Sequence, residues 1–373
     1  MTGPRFNPNL LDVPLYIAGK SIEAVKEELG LKEITKLASN ESPIGPSPQA
    51  IEAARSLLEQ AHRYPDVLDR TLRRTLAERL NPPLQEDNFV TGNGGTDILR
   101  MITQAFIFDG GNTVMCRTTF PMYKILTTTF GGESKIVEPA PDYRHDLTAM
   151  AEHIDDDTRL VFLCSPNNPT GHIISHREAE NFLDRVPPHV VVVFDESYYD
   201  YVGDPAYANT PAFIREGRNV LAVRSFSKAG GLANLRIGCL IGPVELADYV
   251  RHTRLPFHTG DIALAAALAS LDDEVFLARQ KQAVQAGRAY LLEALTGLGL
   301  KCLSSQANFV TFYDPPLPAA SIVASLLHLG FIVREMTAFG MPNAIRVSAG
   351  TQEENAKFIE AMQTVLAGEH VPA

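Results

Sequence analysis

The sequence predicts an α/β protein: a large domain with a mostly parallel sheet wrapped by helices, then a smaller α+β C-terminal domain. Three observations predict it. Short β-branched runs alternate with helical segments from about residue 88 to 245, which is the pattern of a doubly wound sheet. Several runs are continuously apolar rather than alternating, as expected of strands covered on both faces. The C-terminal third then changes texture, with long helical segments and short strands of another kind.

In order, the strand candidates are Asn88–Thr91, Thr113–Cys116, Lys135–Glu138, Arg159–Cys164, Val190–Phe194, Asn219–Val223 and Ile237–Ile241, with helical segments such as Asp97–Phe106 and Arg177–Arg185 between them. The Ala-rich stretch Ile262–Leu271 reads as a buried core helix, being too short to span a bilayer. A long helix is expected over Asp272–Gly297, then strands at Ala307–Phe312 and Phe331–Arg334 flanking a helix at Ala320–Leu329. A strand at Ala344–Ser348 and a last helix at Gln352–Leu366 complete the chain. The expected division is an N-terminal arm that also completes the small domain (1–50), a large domain (51–280) and a small C-terminal domain (281–373), with the site between the lobes.

Composition narrows the class. With 373 residues, 45% hydrophobic and 21% charged, the chain reads as an ordinary soluble protein of two lobes. A formal net charge of −11 argues against nucleic acid, while leaving room for a locally positive pocket. The start, Met1-Thr-Gly-Pro-Arg5, has no apolar run of a signal peptide, and a cytoplasmic location with no membrane association is expected. Cys116, Cys164, Cys239 and Cys302 form no C-x-x-C pair, the histidines show no ligand spacing, and Asp155-Asp-Asp157 reads as a solvated loop; no metal is expected.

The chemistry centres on Ser225-Phe-Ser-Lys228, followed by Arg236. The lysine leaves the C-terminal end of a predicted strand, the edge at which open α/β sheets bind ligands. Two hydroxyls and a guanidinium beside it make a phosphate site next to an amine. That combination points to pyridoxal phosphate, whose aldehyde a lysine holds as a Schiff base. Its ring nitrogen needs a carboxylate to stay protonated, and Asp195, ending an apolar strand, is the candidate; capping the following helix is its alternative. Tyr198 and Asn168 are placed to bind the phenolic oxygen, although Cys164-Ser-Pro-Asn-Asn-Pro-Thr-Gly171 is also a turn in its own right. Thr91-Gly-Asn-Gly-Gly-Thr-Asp97 opens a helix, so the Gly95 and Thr96 backbones would donate to the phosphate. Asp97 stands where a dinucleotide fingerprint requires its third glycine, which excludes that motif. Phe120 would stack on the ring or else pack in the core.

With these motifs in this order, nearly the whole chain resembles a fold-type I pyridoxal phosphate enzyme of the aspartate aminotransferase superfamily. Within that, it is similar to the histidinol-phosphate aminotransferases, through Lys36-Leu-Ala-Ser-Asn-Glu41, His62-Arg-Tyr-Pro65 and Ile345-Arg-Val-Ser348 as well. The resemblance implies that Lys228 carries the cofactor and then shuttles the proton, that Asp195 pairs with the ring nitrogen, and that Ser225, Ser227 and Arg236 grip the phosphate. It implies a homodimer in which Tyr64 reaches the neighbouring phosphate, and a substrate carboxylate on Arg346. Arg334, with Tyr16 nearby, would join Arg346 on a doubly charged phosphate ester; a strand-end surface charge is its other reading. The implied reaction is ping-pong transamination between histidinol phosphate and 2-oxoglutarate. Rivals are an aromatic amino acid aminotransferase and a phosphoamino-acid decarboxylase. A ligand-sensing domain of a transcription regulator would carry a DNA-binding extension, for which a resemblance starting near residue 16 leaves no room. Departures from the family pattern are Phe120 for Tyr, Ser42 for Asn, Ala18 for Pro, and Pro256-Phe-His-Thr-Gly260 for Pro-Phe-Asn-Val. They bear on amino-donor specificity and not on the cofactor chemistry.

Overall fold

In the computed structural model, which describes residues 7–13, 21–65 and 68–368, a seven-stranded sheet forms the centre. Its spatial order is Phe89–Gly92, Gly238–Ile241, Val220–Ser225, Val191–Asp195, Thr158–Cys164, Asn112–Cys116 and Glu133–Val137. The pairs from Val220–Ser225 across to Glu133–Val137 are parallel, while Gly238–Ile241 runs antiparallel to both of its neighbours. The continuously apolar strands follow from this position. Side chains alternate across a strand, so Val161, Leu163, Val192, Phe194, Val220 and Ala222 enter the core on one face. Leu160, Phe162, Val191, Val193, Leu221 and Val223 enter the core on the other. Each such Val, Leu or Phe contributes roughly 1.5–3 kcal/mol by leaving water.

A second, antiparallel sheet has the order Arg334–Glu335, Ala344–Ser348, Phe309–Tyr313, Lys301–Cys302. It shares an apolar core with the helices Glu274–Gly297, Ala319–His328 and Gln352–Leu366, through Leu291, Leu295, Ile322, Leu326, Phe358 and Met362. Leu37 enters the same core, and its carbonyl accepts from the Ser348 amide at 2.8 Å. Just before it, Thr35–Lys36 pairs in parallel with Phe331–Ile332.

Two elements differ from the sequence expectation. The long helix begins at Glu274, because Asp273 leaves the helical region and caps it, accepting from the Phe276 amide; Asp261–Asp272 is a separate helix. The run Phe331–Arg334 splits at Val333: its first half pairs with Thr35–Lys36 and its continuation, Arg334–Glu335, with Ala344–Ser348. The helices Ile22–Leu29, Pro48–Ser56 and Leu68–Arg79 had no counterpart in the sequence reading.

Candidate active site

Parallel strands end in register at one edge of the large sheet, Cys164 lying opposite Asp195 and Asp195 opposite Val223. Beyond that edge lies a cavity of about 290 Å³. Its lining brings together Gly95, Thr96, Phe120, Asn168, Asp195, Tyr198, Ser225, Ser227, Lys228, Arg236, Arg334 and Arg346 from distant parts of the chain.

Lys228 follows the strand Val220–Ser225 by a tight loop, in which Gly231 comes so close to Gly45 that a Cβ would stand 2.4 Å from the Gly45 carbonyl oxygen. The Lys228 Nζ donates to the carbonyls of Ser39 and Asn40, both at 3.2 Å. Burial above all, helped by Arg346 and Arg236 and opposed by Glu41 and Asp195, brings its pKa down to about 8. The amine is thus held by neutral acceptors and kept reactive.

Asp195 is buried. Its Oδ1 accepts from the Ser197 amide at 3.1 Å and the Ser197 hydroxyl at 2.6 Å, and its Oδ2 from the Tyr123 phenol at 2.8 Å. Burial raises its pKa against the opposing pull of Ser197, Tyr123 and Lys228. A cation seated against it would hold it charged.

Two amides have their orientation fixed by neighbours. Asn40 Oδ1 accepts from the Ser348 hydroxyl at 2.9 Å, and its Nδ2 donates to the Tyr198 oxygen at 2.9 Å. The Tyr198 O–H is therefore the group to offer to a ligand. Arg346 Nη1 donates to Asn168 Oδ1 at 2.5 Å, which turns the Asn168 Nδ2 to the same use.

The phosphate-type cradle is equally specific. Gly94, at φ +87°, precedes the helix Gly95–Phe106, whose first amides carry the positive end of the dipole. The Arg236 guanidinium packs so closely on Gly94 that a Cβ would lie 2.5 Å from Nη2. Arg236 Nη1 reaches the Ser227 hydroxyl at 3.5 Å, and the Ser227 amide donates to Ser225 Oγ at 3.1 Å.

Arg334 and Arg346 stand directly opposite each other on paired strands, their guanidinium carbons 6.0 and 5.4 Å from the Phe339 ring centroid. Like charges in such a pair repel, and an anion between them relieves that. Phe120 lines the cavity and packs edge-on against Tyr123, centroids 5.8 Å apart. Tyr64 is not among the lining; it is 77% exposed and stacks on Phe257 at 4.4 Å. Tyr16 lies outside the described residues.

Sequence reasoning missed Asn40, Tyr123, Ser197 and His258. Asn40 sat in a quoted motif without a role, and its left-handed φ of 55° is tolerated by Asn better than by most residues. His258, at a departure from the family pattern, donates to Asp97 Oδ2 at 2.5 Å, and the Asn93 side chain donates to the His258 carbonyl at 3.1 Å. Burial works against the Asp97 charge, but hydrogen bonds from Asn93, His258 and Arg100 outweigh it and hold the carboxyl below the usual range.

A lysine at the sheet edge, a buried carboxylate and a helix-end cradle lining one cavity define an aminotransferase-type site. The chain belongs to the family described as aminotransferase class I and II, whose model matches residues 32–362. More narrowly, it is 41% identical to the histidinol-phosphate aminotransferase of Bacillus subtilis strain 168, over 97% of this chain and 100% of that protein. It is 39% identical to the enzyme of the same name from Moorella thermoacetica, over 98% of this chain and 94% of that one. The histidinol-phosphate aminotransferase of Sinorhizobium meliloti, solved in complex with pyridoxal-5'-phosphate, superposes with a TM-score of 0.88 at 26% identity, covering 99% of both chains. The cofactor of the family is pyridoxal phosphate, and the residues present fit it: an amine, a buried carboxylate with lone-pair capacity left, two oriented donors and an anion cradle converge on one cavity. Among the described residues no helix is long and apolar enough to cross a membrane.

Proposed function

We infer that this chain transfers the amino group of histidinol phosphate to 2-oxoglutarate, giving imidazole acetol phosphate and glutamate, as a cytoplasmic homodimer. The observation that carries the substrate is the cross-strand pair Arg334–Arg346 lining the Lys228 cavity. A phosphate ester carries close to two charges at neutral pH, and two guanidinium groups suit it better than one. An aromatic amino acid would use the same cofactor residues, but its single carboxylate needs only one of the two arginines.

Bound pyridoxal phosphate supplies an aldehyde that takes up an amino group and a ring that accepts the electrons left when the α-proton departs. The protein's part is placement and proton control. Gly95, Thr96, Ser225, Ser227 and Arg236 would hold the phosphate, Tyr198 and Asn168 the phenolic oxygen, Asp195 the ring nitrogen, and Phe120 the ring face. Lys228 Nζ, whose burial favours the uncharged form, is the group that moves a proton on and off the substrate's α-carbon. Arg346 and Arg334 would hold a carboxylate in one half-reaction and a phosphate in the other.

The reading includes two lobes, 51–280 and 281–373, with residues 1–50 as an arm. Tyr64 would complete the neighbouring subunit's phosphate site; its exposure beside the exposed Phe257 and Leu255 supports a surface of this chain that is covered in a dimer. Replacing Lys228 by Ala should abolish the absorbance of the lysine-bound cofactor. If Lys228→Ala retains an absorbance that borohydride fixes to the chain, the lysine assignment is wrong.

A further inference from the structure

A carboxylate oxygen offers two in-plane lone pairs. On Asp195, Oδ1 uses both, on the Ser197 amide and hydroxyl, whereas Oδ2 uses one, on the Tyr123 phenol. The remaining position on the carboxylate is therefore on Oδ2, beside the phenol. Tyr123 is fully buried on the helix Met122–Thr129 and cannot swing aside, because its ring is stacked on Phe162 with centroids 4.8 Å apart and planes 5° apart. The phenol stays a donor, since burial and the neighbouring Asp195 both disfavour its anion.

We propose that Tyr123 is a positioning residue for the reaction: it aims Asp195 Oδ2 at the cofactor's ring nitrogen and, by donating to that oxygen, keeps the negative charge on the carboxylate and the proton on the ring. The inference rests on the reading of Asp195 as the ring-nitrogen partner. Ser197 holds the far oxygen and sets the carboxylate plane; Tyr123 acts on the oxygen that does the work. The groups facing the carboxylate are Ser197, Tyr123, Lys228 and the Cys164 thiol. With the phenol removed, the carboxylate is the more basic of the two partners. The proton shared along the nitrogen–oxygen line then moves from the ring nitrogen to Oδ2, leaving both groups neutral.

The test uses the holoenzyme reconstituted with pyridoxal phosphate labelled with ¹⁵N in the ring, in wild type, Tyr123→Phe, Ser197→Ala and Asp195→Asn. Tyr123→Phe keeps the ring stack, so the fold is retained. The ¹⁵N resonance is expected to move toward that of neutral pyridine in Tyr123→Phe. Its kcat should fall about tenfold to a hundredfold, as for loss of a hydrogen bond to a charged group, with the KM for the amino donor within about twofold of wild type. Ser197→Ala should move the resonance less. A resonance unchanged in Tyr123→Phe overturns the proposal, as does a larger movement in Ser197→Ala. If Asp195→Asn leaves the resonance at its wild-type position, the Asp195 reading itself fails; if Asp195→Asn moves it and Tyr123→Phe does not, only the role of Tyr123 fails.

Discussion

The amine of Lys228 has to be uncharged to react, and its surroundings favour that form. Burial, with Arg346 and Arg236 nearby, takes its pKa from 10.5 to about 8. At pH 7.5 an amine of ordinary pKa is neutral in about one molecule in a thousand, whereas a pKa near 8 makes it neutral in about one in four. Capture of pyridoxal phosphate by the cofactor-free protein should therefore be some hundredfold faster at this pH than for a solvated lysine. In stopped flow, followed by absorbance between pH 6 and 10.5, the capture rate should climb about tenfold per pH unit and level off near pH 8. Arg346→Met, removing the second of the causes, should shift that midpoint upward. The same shift has a sign in stability. A depressed lysine pKa means the folded chain binds fewer protons than the unfolded chain between about 8 and 10.5, so the cofactor-free protein gains stability from this group as pH rises through that window. The gain is complete above 10.5 and absent below about 8. A capture rate that keeps rising beyond pH 10 would refute the reasoning, because the amine would then be an ordinary one.

Gly94→Ala would place a methyl 2.5 Å from Arg236 Nη2 on a backbone of φ +87°, and should weaken cofactor binding at least about tenfold in a fluorescence titration while far-ultraviolet circular dichroism stays unchanged. Glu196→Gln removes the charge of a buried carboxylate paired with the half-buried Arg224 at 2.8 Å, and should cost about 2–3 kcal/mol in urea unfolding. Arg334→Gln should raise the KM for histidinol phosphate by about tenfold to a hundredfold, with the cofactor spectrum unaltered.

The sheet was legible because burial on both faces leaves its mark residue by residue: every position of Val191–Asp195 is buried, and the polar Asp195 at the end of that run is conspicuous. That Lys228, Asp195 and Gly95 would meet at one cavity was legible for a related reason, since they sit at strand or helix ends next to glycine, serine and proline punctuation. Their supports were not. Asn40 meets Ser348 across 308 positions of chain and Tyr123 meets Asp195 across 72; no local pattern joins them. Tyr123 reads as one more aromatic on an apolar helix face, and only its hydroxyl, aimed by tertiary packing, sets it apart. The helix break at Asp273 turned on a single capping side chain inside a stretch that is otherwise helical in composition. Tyr64 shows the opposite limit: among the described residues of one chain it stacks on Phe257, and the role inferred for it needs a second copy.

The central claim is that the paired arginines select a phosphate ester for a lysine-centred transamination. The direct test mixes the pyridoxal phosphate-loaded protein with histidinol phosphate, and separately with phenylalanine, and follows conversion of the cofactor to pyridoxamine phosphate in a single turnover. The account predicts a much faster conversion with histidinol phosphate, and loss of that advantage in Arg334→Gln. Equal or faster conversion with phenylalanine would contradict it, leaving the cofactor site as described and the substrate wrong.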